Sequence, residues 1–279
     1  MSRLLVVNAD DMGLTPGVCR AVHRAHTDGV VTSTSVLAVG TAFDEAAARL
    51  RDAPGLAVGA HLAIVGEDRP LLSAAEVPTL VDRTGHFPLG YRTVVARGAA
   101  GRIDPDDVRR EFAAQLERVA GIGVPVTHLD THQHTHLWPA VAAVVVELAT
   151  AAGVPSVRLP TSRSRGPVGV GVRLLSRRLH ARLERAGLRS TADYAGLDES
   201  GALDQARVAG TLRRLAAAGA ASAELNTHPG EAGEAALARF GWGFRWADEL
   251  AMLTSPVTRE LVEDLGYRLG SFADLAGAR

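Results

Sequence analysis

Four of the ten histidines fall within nine residues, at His128, His132, His134 and His136 of THLDTHQHTHLWP, with Asp130 among them. Imidazole and carboxylate bind divalent metals and carry protons near neutral pH. On an extended chain the even positions share a face, so His128, Asp130 and His132 point together. On a helix, His128 with His132, or His132 with His136, would pair one turn apart. Pro125 and the β-branched residues around it favour a strand that emerges into a loop. The zinc-protease pattern needs Glu directly after the first His of such a pair, and Leu129 and Gln133 stand there instead. A centre of one carboxylate and two imidazoles leaves positions open for water and substrate, so four histidines are more than one catalytic ion needs. Asp130, His128, His134 and His136 then suit roles in orienting a ligand or touching substrate.

Three other apolar runs end in the same residue types: NADD with Asn8, Asp10 and Asp11, GAHL with His61, and NTHPGE with Asn226, His228 and Glu231. Neighbours on a strand point to opposite faces, so Asp10 and Asp11 can serve one site only if the backbone turns between them. Gly13 and the Thr-Pro-Gly after it permit such a turn.

The elements that must carry these residues alternate. RLLVVNAD, VVTSTSVLAV, GLAVGAHLAIV, VPVTHLD, VPSVRLP, TADYAGL, SAELNTH and YRLGSF are short strand candidates. Helical patterns lie between them, including 18–28, TAFDEAAARLRDA, a run capped by Asp104 with Pro105 in its first turn, PAVAAVVVELATAAG, and SPVTRELVEDLG with Ser255 as cap. Residues of about 65–103 show no clear periodicity and carry frequent Gly and Pro, which predicts a loop-rich insertion. Strand and helix alternating over 279 residues without a linker predicts one catalytic domain over 1–279, an α/β distorted (β/α) barrel of TIM-like type with mostly parallel strands. An open doubly wound sheet is the alternative. Both folds place chemistry at the carboxyl ends of the strands.

A hydrophobic share of 47% with 22% charge fits a globular chain, and a net charge of −1 provides no field for nucleic acid. Cys19 is the one cysteine, so no internal disulfide forms and a reducing, cytoplasmic setting is expected. The apolar start is too short for a signal peptide, and Glu147 interrupts the longest apolar run, so no stable membrane insertion is expected. Oligomeric state is left open, a homo-oligomer included.

Taken in order, NADDMGLTPGV, GAHL, THLDTHQHTH and NTHPGE resemble the YdjC-like carbohydrate deacetylases. That group includes chitooligosaccharide deacetylases and those associated with hopanoid biosynthesis. The resemblance runs nearly end to end and implies a barrel hydrolase that removes acetyl groups from N-acetylated amino sugars with one divalent metal ion, Mg or Zn. It implies Asp11, His61 and His132 as metal ligands, Asp10 as general base and His228 as general acid. Met12 stands where the family usually has Phe, and Thr131 where Ser is frequent; both bear on substrate identity. The implied chemistry is coherent, because an amide needs carbonyl polarisation, a base for water and an acid for the amine.

Two other functions compete. A metal-dependent phosphoesterase would need more carboxylate ligands and basic phosphate clamps. A non-catalytic, metal-dependent sugar-binding protein would need neither Asp10 nor His228. Elsewhere, Cys19, His23, His26 and His180 fit helix packing or surface, and His86 a loop. Helix 172–189 fits a barrel-packed helix with a solvated arginine face, and Trp242 and Trp246 fit sugar stacking or core.

Overall fold

The computed structural model describes residues 3–277. Eight strands form one sheet: β1 (Arg3–Met12), β2 (Ser33–Val36), β3 (Ala57–Leu62), β4 (Val126–Thr131), β5 (Ser156–Val157), β6 (Asp193–Ala195), β7 (Ser222–Thr227) and β8 (Tyr267–Gly270). Their order is β5-β4-β3-β2-β1-β7-β6, with β8 added on β1, and every pairing is parallel. β7 runs along one edge of β1; β8 takes the amino half of the other edge and β2 its carboxyl half. The sheet curls until β5 meets the segment before β6 through a single parallel bridge, Ser156 to Arg189. This is the distorted (β/α) barrel that the alternation predicts, its backbone pairing closed on one side by that single bridge instead of a strand ladder.

Helices α1 (Pro16–Thr27), α2 (Phe43–Arg51), α3 (Tyr91–Ala99), α4 (Pro105–Ala120), α5 (Pro139–Ala151), α6 (Pro167–Ala186), α7 (Gln205–Ala218), α8 (Trp246–Leu253) and α9 (Pro256–Asp264) complete the chain. Asp104 caps α4 by accepting from the Asp106 amide, and Pro105, Pro139 and Pro256 sit in first turns, where a missing N–H costs nothing. Ser255 holds the cap position of α9, but its side chain makes no capping bond.

Alternation along β1 divides two environments. Leu5, Val7 and Ala9 join the large apolar core beneath the helices, while Leu4 and Val6 pack with Phe272 and Leu275 as a separate plug. Above that plug the same face presents Asn8 and Asp10, both buried. β4 contributes His128 and Asp130 to this interior, and β7 contributes Glu224 and Asn226. The barrel is therefore apolar at its amino end and polar at its carboxyl end.

The stretch 65–103, expected as a loop-rich insertion, holds one α-helix, α3. Nine residues with Gly98 inside and no side-chain cap carry too little pattern to stand out. Buried polar side chains of α4 fasten the rest. Glu111 accepts from the Leu71 and Leu72 amides, Asp107 from Thr79, and Gln115 bonds both the amide and carbonyl of Ala63. Irregular backbone so close to a core needs such partners for its N–H and C=O groups.

Candidate active site

Asp10 and Asp11 reach one site because Asp11 adopts φ 66°, at the irregularity where the β1–β2 register shifts between Ala9 and Met12. Left-handed backbone is uncommon for a side-chain-bearing residue and tends to persist where function holds it. The other two such residues among those described, Gln133 and His134, line the same cavity.

Asp11 Oδ1, His61 Nε2 and His132 Nδ1 form a triangle with sides of 3.2, 3.3 and 3.5 Å. All three residues are buried, and Asp11 Oδ1 has no hydrogen-bond partner. His61 Nδ1 lies 2.6 Å from Asp130 Oδ1; with its Nδ1–H donated to that carboxylate, the neutral ring offers its Nε2 lone pair to an ion at the triangle. One anionic oxygen and two ring nitrogens at that spacing fit neighbouring corners of a divalent ion's coordination shell. The residues therefore suit a metal.

Arg158, fully buried, joins the site's carboxylates. It contacts Asp10 at 2.7 and 2.8 Å, Asp130 at 2.9 Å and Glu224 at 2.7 Å. Burial pushes the Asp10 carboxyl up, but Arg158 and His61 outweigh it and hold the group well below the usual carboxylate range. Asp130 is lowered in the same way, by Arg158 and His61 against burial. Glu224 shares Arg158 with two other anions, and burial with that repulsion raises it to about 7. Asn8 steadies Asp10, its amide donating at 2.8 Å to Asp10 Oδ1 and at 3.0 Å to the Ser35 hydroxyl. Asn226 lies 3.4 Å from both Arg158 and the Tyr194 hydroxyl.

The histidine cluster separates in space. His132 alone joins Asp11 and His61. His128 faces the barrel interior, stacked on Phe272 at 3.9 Å, with Nε2 3.0 Å from the Ser35 hydroxyl. His136 is fixed between the Thr131 hydroxyl at 2.6 Å and the Arg158 carbonyl at 3.1 Å. His134 lines the cavity with Nε2 3.2 Å from the Tyr194 hydroxyl. Burial lowers all three, His128 and His136 to about 4. The even spacing describes a strand face only as far as Asp130. From His132 to Leu137 the chain coils into a short 3-10 turn through two left-handed residues, so the expected extension of that face does not occur. Asp130 orients His61 on the neighbouring strand rather than His132.

His228 follows β7 and places Nε2 3.9 Å from Asp10 Oδ2. Its amide donates to Glu249, its ring packs on Phe244, and its Nδ1 is buried without a partner. Asp10, Asp11, His61, His132 and His228 share one cavity of about 510 Å³. Trp242 lies in its wall, 5.2 Å from the His132 ring, while Trp246 stands behind Trp242. Met12 is buried in the apolar core, and the Thr131 hydroxyl serves His136, so neither departure from the family pattern touches the cavity. His86 bonds Arg69 and Thr84 away from it. Glu231 pairs with Arg20 at the surface.

Arg158, Glu224, Ser35 and Tyr194 are missing from the sequence reading of the site. VPSVRLP and SAELNTH carry the signal, since an arginine or glutamate inside a short apolar strand must find a charged partner when buried.

A family model described as "YdjC-like protein" matches residues 4–264. A protein of Serratia marcescens named chitooligosaccharide deacetylase is 32% identical over 279 residues, covering 99% of this chain and 100% of the relative. A mouse protein named carbohydrate deacetylase is 34% identical over 301 residues, covering 99% and 96%. A crystal structure of an Enterococcus faecalis protein named for cellobiose-phosphate cleavage superposes with a TM-score of 0.82 at 26% identity, covering 99% of each chain. The match over nearly the whole sequence and the shared fold lead to one conclusion: this chain belongs to the YdjC-like family.

Proposed function

We propose that the chain is a single-domain, metal-dependent carbohydrate N-deacetylase that hydrolyses the acetamide of an amino sugar. The observation that carries this is the Asp11–His61–His132 triangle beside two further proton carriers, Asp10 and His228. Relatives named as carbohydrate and chitooligosaccharide deacetylases support the substrate class.

Asp11, His61 and His132 would hold one divalent ion, Zn on the preference of two imidazoles or Mg on that of an open, oxygen-filled remainder. Such an ion, when bound, polarises the acetyl carbonyl and lowers the pKa of water. Asp10 accepts the proton of the water that adds to the acetyl carbon. Arg158 keeps that carboxylate ionised and fixes its plane, so it meets the water ready to accept. His228 approaches from the next strand and donates a proton to the nitrogen as the C–N bond breaks, because an amine leaves poorly as an anion. Acetate and the free amino sugar result, and the proton taken by Asp10 balances the one given by His228. Among the described residues no helix is long and apolar enough to cross a membrane. With Cys19 a buried free thiol, we place the enzyme in the cytoplasm.

Acetate release from N-acetylglucosamine compounds, measured with chelator and after adding back Zn or Mg, tests the reading. Release that chelator abolishes and metal restores is expected; phosphate release from sugar phosphates without acetate release would replace it with phosphoester hydrolysis.

A further inference from the structure

The floor of the cavity is polar and fully buried, but its mouth is not polar. Among the described residues seven large apolar side chains stand exposed, and six of them fall in two segments, 89–95 and 168–174. Those segments are the start of α3 and the start of α6, and both flank the cavity. Tyr91 and Val95 line it from α3, Val168, Val172 and Leu175 from α6, with Trp138 between them. Val168 keeps 62% of its surface exposed although it lines a cavity. Clustered exposed apolar surface marks a binding site more often than chance scatter does.

The rim is also short of groups that would bind sugar. Gln133 lines the cavity, yet its amide is used by the Tyr91 N–H at 2.9 Å and the Leu89 carbonyl at 3.0 Å. Ser200, Thr135, His134, the Tyr91 hydroxyl and the Trp138 indole N–H are the other uncharged polar groups lining it outside the catalytic set, and the Trp242 N–H is already given to Glu67. A chain of several sugars would need hydroxyl partners along its whole length. The α6 side of the rim is pre-formed. Arg173 holds the Ser162 and Ser164 carbonyls, and Gly169 lies so close to Ser164 that a Cβ there would meet its carbonyl oxygen at 2.3 Å.

Resting on the deacetylase reading, we infer that the substrate's acetylated amino sugar carries an apolar aglycone, an alkyl or aryl group, which lies between α3 and α6. The wall is continuous from the metal-ligand triangle to this rim, so a sugar with its acetamide at Asp10 directs its far side along Val172 and Leu175 toward Val168 and Val95. Burial of the aglycone against these side chains supplies affinity that the sparse polar groups do not.

Octyl and methyl N-acetyl-β-D-glucosaminide, both below the micelle threshold of the octyl compound, test the inference. The octyl glycoside should show a kcat/KM higher by roughly tenfold or more, expressed in KM. Val168→Asp and Val95→Asp should each lower the octyl-to-methyl ratio several-fold. Titration of tryptophan fluorescence, with Trp138 and Trp242 in the wall, reads the same preference without turnover. If neither glycoside is deacetylated but octyl still binds more tightly, the deacetylase reading falls and the apolar subsite stands. Equal use and equal binding of the two glycosides, or preference for diacetylchitobiose over the octyl compound, would overturn the inference. So would a dimer in sedimentation that Val168→Asp dissociates, since a second copy would then cover this face.

Discussion

Arg158 grips Asp10 with two nearly parallel hydrogen bonds of 2.7 and 2.8 Å, and both side chains are buried. A base held this way is ionised in the resting enzyme, ready to accept a proton, and its plane is fixed relative to the Asp11–His61–His132 triangle. Asp10→Asn keeps the shape and removes the proton acceptor. We expect turnover to fall by about 10²–10⁴-fold with bound metal unchanged, checked by acetate assay beside metal analysis. His228→Ala should do the same from the acid side; a near-normal kcat in either variant would reassign that role.

Arg158 has a second role, in stability. It is shared by Asp10, Asp130 and Glu224, so Arg158→Met leaves carboxylates buried without a cation. Urea unfolding should show a loss of about 3–5 kcal/mol. Adding Asp130→Asn removes one stranded anion and should recover part of that loss.

Metal content reads the triangle directly. Asp11→Asn is the variant of choice, because Asn tolerates the left-handed backbone that Asp11 adopts at φ 66°, whereas Ala adds strain there. The variant should fold with unchanged circular dichroism and be purified with little metal. Full metal occupancy would show that Asp11 is not a ligand.

Asp130 supplies no corner of the triangle, yet it fixes the ring of His61 at 2.6 Å from Nδ1. Asp130→Asn should weaken metal binding by about 10–100-fold, measured by competition with a chromophoric chelator. An unchanged affinity would reduce Asp130 to packing.

The buried histidines set an acid limit. His128 and His136 are held at about 4 by burial, against an ordinary 6.5. Between those values the unfolded chain binds protons that the native state refuses, so stability falls as pH drops from 6.5 toward 4. In metal-free protein His61 acts in the opposite direction. Burial lowers it, but Asp130, Asp10 and Asp11 raise it to about 9. Its contribution is complete below 6.5 and is lost as pH rises through 9. Thermal melts of the metal-free protein should therefore peak near pH 6.5 and decline on both sides. A melting temperature flat from pH 4 to 7 would contradict the neutral, buried state of His128 and His136.

Much of this was written locally. Short β-branched runs, prolines in first turns and Asp104 as a cap are nearest-neighbour signals, and they located most strands and helices. Carboxylate and imidazole at the ends of apolar runs marked Asp10, Asp11, His61, His132 and His228, because such groups are costly to bury without a task. The resemblance then sorted ligands from proton carriers. One short element with weak pattern escaped, α3, with nine residues and no side-chain cap, whereas the runs holding β5 and β6 stood out although those strands have only two and three residues.

Tertiary structure decided the rest, because it alone sets distances between residues far apart in the chain. Arg158 looked like one arginine in a short strand until the curl of the sheet placed it against residues 148 and 66 positions away. The even-numbered histidines looked alike until the chain coiled after Thr131 and sent His128, His132, His134 and His136 to different partners. The sequence by itself determined which residue types could do the chemistry and which strands bring them. Closing the barrel determined which of them meet, since metal ligation, ion pairing and tautomer choice depend on separations of a few ångströms that no local pattern encodes.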